Sequence, residues 1–132
     1  MAGLYVDTSA IGRILLAEPD AAAIRATLAR YDVWWSSELL VVELRRLAAR
    51  EDLLAAADHL ISGLQLLGID SASLERASRL EPPEVRTLDA IHLEAAIALK
   101  GRDEVTAVLT YDHQLQAGCA HHALAIEAPA AA

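Results

Sequence analysis

At 132 residues with 55% hydrophobic content and one cysteine, the chain can bury a core without disulfides or a structural metal, and one domain spanning 1–132 is expected. A net charge of −8 argues against broad, non-specific nucleic-acid binding, which needs Lys and Arg facing the phosphates. It does not exclude a nuclease, because carboxylates that hold divalent cations present positive charge once loaded. No run approaches the roughly 20 apolar residues needed to cross a bilayer, and no basic n-region precedes Asp7, so a cytoplasmic protein without a membrane role is expected. The hydrophobic surplus, much of it Ala, points to an oligomer or partner surface.

The chain opens with Leu4-Tyr5-Val6, a strand-like run, then Asp7-Thr8-Ser9 and a helical pattern through Ile11, Ile14, Leu15 and Leu16. In an open α/β sheet a strand end that feeds a helix lines the ligand crevice, which puts Asp7 at the rim of a site; the competing reading is a plain turn residue. Ser9 or Thr8 is the expected cap of that helix. Glu18-Pro19-Asp20 breaks the chain, and Asp20 can cap a helix through Ile24, Leu28 and Tyr31. Val33-Trp34-Trp35 reads as a strand from its β-branched and aromatic content, with alternation sending one Trp to each face.

Ser36 and Ser37 precede a helix in which Glu43 shares the face of Leu40, Leu44 and Leu47. A carboxylate on an apolar face must be paired, protonated or metal-bound. Arg46 is its candidate helical partner; otherwise Arg45 and Arg46 form a solvated face. A core-packing helix is expected from Glu51 and Asp52 through Leu60 and Ile61, and a short strand over Leu66-Leu67-Gly68-Ile69-Asp70. Ser71 or Ser73 then caps a helix that Pro82-Pro83 ends.

Thr87 to Lys100 forms the next helix, with Leu88, Ile91, Ala95, Ala98 and Leu99 as its apolar stripe, Thr87 as cap and Gly101 as stop. Asp89 falls in the first turn, where the helix dipole favours a carboxylate, and Glu94 lies well round the helix, on a face expected to be solvated. Val105 to Thr110 is the clearest strand. Asp112 stands to it as Asp7 stands to the first, before a short helix at Leu115 and a last strand over Ala123–Ile126. The Ala-Pro tail 128–132 should fray.

Strands alternating with helices argue for an α/β sandwich around a mainly parallel sheet. Asp7 and Asp112 then lie beyond strand ends, and Glu43 and Asp89 project from helices able to cover the same crevice. Four converging acids repel one another unless neutralised, and hard oxygen ligands select Mg²⁺ or Mn²⁺.

Val6-Asp7-Thr8-Ser9-Ala10, the inward Glu43, Leu88-Asp89-Ala90-Ile91-His92-Leu93 and Thr110-Tyr111-Asp112 together resemble the PIN-domain ribonucleases, closest to the VapC-type toxins of bacterial toxin–antitoxin pairs. The resemblance spans nearly the whole chain. It implies a three-layer sandwich with a five-stranded sheet in the order 3-2-1-4-5, and endonucleolytic RNA cleavage leaving 5′-phosphate and 3′-hydroxyl ends. It also implies Asp7, Glu43, Asp89 and Asp112 as holders of Mg²⁺ or Mn²⁺, and Ser9 orienting the first acid or its water. A homodimer and a VapB-like antitoxin, its C-terminal segment in an apolar groove with a basic side chain towards the acids, complete the implication.

A zinc site at Cys119, His121 and His122 is not expected, because adjacent histidines point apart and no fourth ligand stands nearby. His92 and His113 each neighbour a proposed metal acid; each reads as a packed or exposed histidine or as an aid to proton transfer or RNA binding. A P-loop or dinucleotide fold needs Gly-rich turns that are missing. The alternative from another class is a non-catalytic module whose acids dock a basic peptide, which metal titration of RNA cleavage separates from an enzyme.

Overall fold

The computed structural model describes residues 2–131. Five strands, β1 (Gly3–Val6), β2 (Val33–Ser37), β3 (Gln65–Leu67), β4 (Ala107–Leu109) and β5 (Ala125–Glu127), form one sheet in the order β3-β2-β1-β4-β5. Every pairing is parallel. The helices are α1 (Thr8–Leu15), α2 (Ala21–Leu28), α3 (Glu38–Arg50), α4 (Leu54–Ser62), α5 (Ser71–Ser78), α6 (Thr87–Gly101) and α7 (His113–His121). The sandwich and the strand order are those expected.

Period-two alternation in β1 builds both outer layers. Leu4 and Val6 enter a core with Ile11 and Ile14 of α1, Ile24 of α2 and Leu40 and Leu44 of α3, while Tyr5 points to the other face, among Leu93, Ala96 and Leu99 of α6 and Leu115 of α7. The same alternation divides the tryptophans. Trp34 packs on the first core and donates its indole N–H to the Leu28 carbonyl at 2.8 Å; Trp35 packs on the second. Gly3 is required at the start of β1, because a Cβ there would sit 1.9 Å from the Glu104 carbonyl oxygen.

Several helix ends differ from the sequence reading, each for a local reason. Asp7 itself caps α1, accepting from the Ala10 amide, so Thr8 and Ser9 lie inside the helix. Asp70 caps α5 in a reciprocal box with Ser73, so β3 ends at Leu67. Asp20 stands at the start of α2 but gives its carboxylate to Arg13 at 2.9 Å instead of to the helix. Asp52 takes a left-handed backbone, φ 56°, which an Asp tolerates better than most residues; this turn delays α4 to Leu54.

The largest correction concerns the face of α6. Its buried residues are His92, Leu93, Glu94, Ala95, Ala96 and Leu99, whereas Leu88 is 50% exposed. Because Ala and Leu occupy nearly every side of this helix, periodicity defined the helix but not the side that packs. Thr87 is its first helical residue, Arg86 at the cap position makes no side-chain bond, and Gly101 ends its last turn. The left-handed residue that follows is Asp103, φ 58°. Of the tail 128–132, residues 128–131 are described and form coil, with the Pro129 carbonyl accepting a hydrogen bond from Tyr111.

Candidate functional site

Adjacent parallel strands bring β1 and β4 to a common C-terminal edge, where the Asp7 amide donates to the Leu109 carbonyl at 3.2 Å. The two chain reversals beyond that edge are laced together by short hydroxyl side chains. Ser9 Oγ donates to Asp7 Oδ1 at 2.7 Å and accepts from the Tyr111 amide at 2.9 Å. Thr110 Oγ1 donates to Asp7 Oδ2 at 2.9 Å and accepts from the Asp112 amide at 3.0 Å. Asp7 is therefore held from both chain reversals and is only 3% exposed.

Asp112 caps α7, its Oδ1 accepting from the amides of Gln114 at 2.9 Å and Leu115 at 3.0 Å. Glu43, on α3, accepts on Oε1 from Thr8 Oγ1 at 2.7 Å and from His92 Nε2 at 2.8 Å. Asp89 lies in the first turn of α6, one turn before His92. A pattern runs through these acids. Both hydrogen bonds to Glu43 fall on Oε1, the two backbone amides that hold Asp112 both fall on its Oδ1, and Asp7 Oδ2 accepts a single bond and keeps a lone pair.

The protonation behaviour follows the surroundings. Burial pushes the Asp7 carboxyl up, opposed by the His92 ring and by the bonds from Ser9, Thr110 and Ala10. Burial alone would raise Glu43 as well, but the bonds from His92 and Thr8 hold it below the usual carboxylate range. Asp89 is raised to about 6, first by burial, then by the charges of Asp112 and Asp7, and by a hydrogen bond to Asp112. The acids are thus close enough to disfavour one another's ionisation.

They are not a ready-made coordination cage: among the described residues no group of three His, Cys, Asp or Glu side chains is arranged to hold a metal ion. The donor chemistry nevertheless fits a hard divalent cation. The acids offer only carboxylate oxygen, part of it unbonded, and burial, together with the charges of Asp112 and Asp7, already raises the Asp89 carboxyl.

The structure places the remaining candidates as follows. Ser9 bridges the two reversals. Arg46 is not the partner of Glu43, whose bonds go to Thr8 and His92, and Arg45 pairs with Asp58 at 2.9 Å. Glu94, expected in solvent, is buried and paired to Arg76 at 2.6 Å, because the rotated α6 turns it towards α5. His113 is exposed at the start of α7. Cys119 is buried, its thiol pushed up to about 12 mainly by burial, and His122 Nε2 lies 2.7 Å from the Glu81 carbonyl oxygen.

Sequence reasoning missed Tyr5, Thr8 and Thr110 as parts of the site and left His92 undecided. Thr110 carried a signal, lying two residues before an acid at a strand end. Tyr5 carried none beyond its place in a strand, since its partner is 87 positions away.

A family model described as PIN domain matches residues 4–119. The chain is 37% identical over 123 residues to Ribonuclease VapC47 of Mycobacterium tuberculosis, a match covering 88% of this chain and 89% of that protein. It is 36% identical over 131 residues to Ribonuclease VapC46 of the same organism, covering 98% and 99%. The crystal structure of VapC20 of Mycobacterium tuberculosis, a sarcin-ricin loop cleaving toxin, superposes with a TM-score of 0.68 at 16% identity, covering 86% of this chain and 93% of that one.

Proposed function

The chain belongs to the PIN-domain family, and on that footing we propose that it is a metal-dependent endoribonuclease, the toxin of a type II toxin–antitoxin pair. Asp7, Glu43, Asp89 and Asp112 are the proposed holders of Mg²⁺ or Mn²⁺, directly or through water, and Ser9 the residue that orients Asp7. The observation that carries the reading is the division of labour among carboxylate oxygens, with both donors to Glu43 on Oε1 and both helix amides on Asp112 Oδ1. A bound divalent cation supplies activation of water and neutralisation of charge developing on the phosphodiester.

The chain's own groups do the rest. Ser9, from the start of α1, and Thr110, just beyond β4, fix the Asp7 carboxylate from two sides, which removes rotational freedom a ligand would otherwise lose on binding. The amides of Gln114 and Leu115 fix Asp112 in the same way. In the hydrolysis water adds to phosphorus and the P–O3′ bond breaks, O3′ taking up a proton, so the products carry 5′-phosphate and 3′-hydroxyl ends.

The groove between α1 and α3, about 450 Å³ and lined by Gly12, Leu16 and Leu47 on the way to Glu43, is the proposed seat of a VapB-like antitoxin segment. Leu74 and Leu88, 46% and 50% exposed, offer apolar surface to a second copy in a homodimer. A cytoplasmic setting is proposed with them, and among the described residues no helix is long and apolar enough to cross a membrane.

The test is RNA cleavage by purified protein with Mg²⁺ or Mn²⁺ and with chelator. Cleavage should require metal and leave 5′-phosphate ends. Equal cleavage in chelator, or cyclic phosphate ends, would overturn the metal mechanism; no cleavage with Mn²⁺ but tight binding of a basic peptide would replace the enzyme with a docking module.

A further inference from the structure

Two side chains that a packing role alone does not explain lie directly behind Glu43. Tyr5 and His92 are sealed, at 0% and 2% exposure, yet each brings a polar group to a defined partner. Tyr5 sits on the face of β1 opposite to Leu4 and Val6, so its hydroxyl reaches α6 and meets His92 Nδ1 at 2.7 Å. The opposite ring nitrogen, Nε2, meets Glu43 Oε1 at 2.8 Å.

The directions of these bonds follow from chemistry. An ionised carboxylate only accepts, so Nε2 must carry the hydrogen it shares with Glu43. In the neutral ring Nδ1 is then the acceptor and the Tyr5 hydroxyl its donor. Thr8 Oγ1, from the start of α1, supplies a second donor to the same Oε1 at 2.7 Å. Three elements, β1, α1 and α6, thereby act on one oxygen of a residue on a fourth.

We propose that Tyr5 and His92 are positioning residues that, with Thr8, lock the Glu43 carboxylate by Oε1 and leave Oε2 as its ligand atom. The proposal rests on the reading of Glu43 as a metal-site acid. A glutamate has several freely rotating side-chain bonds, and a single donor leaves the carboxylate free to pivot; two donors from different elements fix both its place and its plane. Tyr5 acts one step further back, holding the imidazole in the tautomer whose Nε2 is the donor.

The first measurement uses metal-free protein labelled with nitrogen-15 in histidine. His92 should carry hydrogen on Nε2; a ring protonated on Nδ1 with bare Nε2 overturns the proposal. The second is Mn²⁺ titration of a variant series. His92→Phe should weaken binding about 10- to 100-fold, the range for loss of a group that orients a ligand. His92→Gln, whose amide N–H can reach the same carboxylate, should recover most of that loss at a melting temperature no higher than that of His92→Phe. Tyr5→Phe keeps the ring and should weaken binding by a smaller factor.

Folded variants that all bind Mn²⁺ as tightly as the wild type would reduce Tyr5 and His92 to packing and sink the proposal. Should His92→Phe fail to fold, Tyr5→Phe and the tautomer decide. Wild-type protein that neither binds Mn²⁺ nor cuts RNA would instead overturn the nuclease reading, while the tautomer, read without metal, still decides the relay.

Discussion

Replacing Asp89 by Asn should stabilise the metal-free protein at neutral pH. The carboxyl stands at about 6 against an ordinary 3.8, and at about 1.4 kcal/mol per decade that difference amounts to about 3 kcal/mol. The group is half-buried, so solvent screening reduces this to about 1.5 kcal/mol. An ionised acid in the first turn of α6 also gains roughly 0.5 kcal/mol from the helix dipole, which Asn forfeits. The net gain is then about 1 kcal/mol, or about 4 °C in melting temperature for a chain of this size.

The sign depends on pH. Between about 3.8 and about 6 the folded protein holds the Asp89 proton that the unfolded chain has released. Wild-type stability therefore falls as pH rises through this window, and the loss is complete above it. Thermal unfolding in chelator should show the variant ahead at pH 8 and the advantage gone by pH 4. A variant less stable than wild type at pH 8, or an advantage undiminished at pH 4, would refute the claim that burial, with the charges of Asp112 and Asp7, strains this carboxyl.

Asp7→Asn should lower metal-dependent RNA cleavage at least ~100-fold while the protein stays folded by circular dichroism; retained cleavage would remove Asp7 from the site. Arg76→Gln strands the buried Glu94 carboxylate without its cation, and urea unfolding should register a loss of about 2 kcal/mol, larger than that of Glu94→Gln. Gly3→Ala forces a methyl onto the Glu104 carbonyl oxygen and should cost more than about 3 kcal/mol, seen as insoluble or molten protein. Gly118→Ala meets the movable Leu93 side chain, its Cβ at 2.7 Å from Leu93 Cδ2, and should cost only about 1–2 kcal/mol. Native Cys119 should resist a thiol reagent until denaturant is added, because its buried thiol stays protonated.

Much of the candidate site is legible in the sequence because its acids occupy positions that local chemistry marks out. Asp7 and Asp112 each follow a β-branched, apolar run and precede a helix, and Glu43 sits among Leu40, Leu44 and Leu47 where solvation cannot explain it. Glu94 was misplaced because Ala-rich α6 offers apolar surface on most sides, and the side that packs depends on what α5 and the sheet present to it. Arg46 is a candidate partner for Glu43 because helical spacing is visible in the chain, whereas His92, which bonds it, lies 49 positions away. The caps slipped by one or two residues for a related reason: Asp competes with neighbouring Ser and Thr at a helix start, and the backbone path settles which of them bonds.

The sequence by itself determined the alternation of strands and helices, the parallel sheet, the candidate acids and the sorting of Trp34 and Trp35 to opposite faces, because these follow from period, branching and the cost of an unpaired charge. Only the tertiary structure decided which carboxylate oxygens are tied, that Tyr5, His92 and Thr8 stand behind Glu43, and that Glu94 is buried with Arg76. Those are contacts between elements far apart along the chain, and a hydrogen bond of 2.7 Å is fixed by how helices and strands seat against one another, which no local pattern encodes.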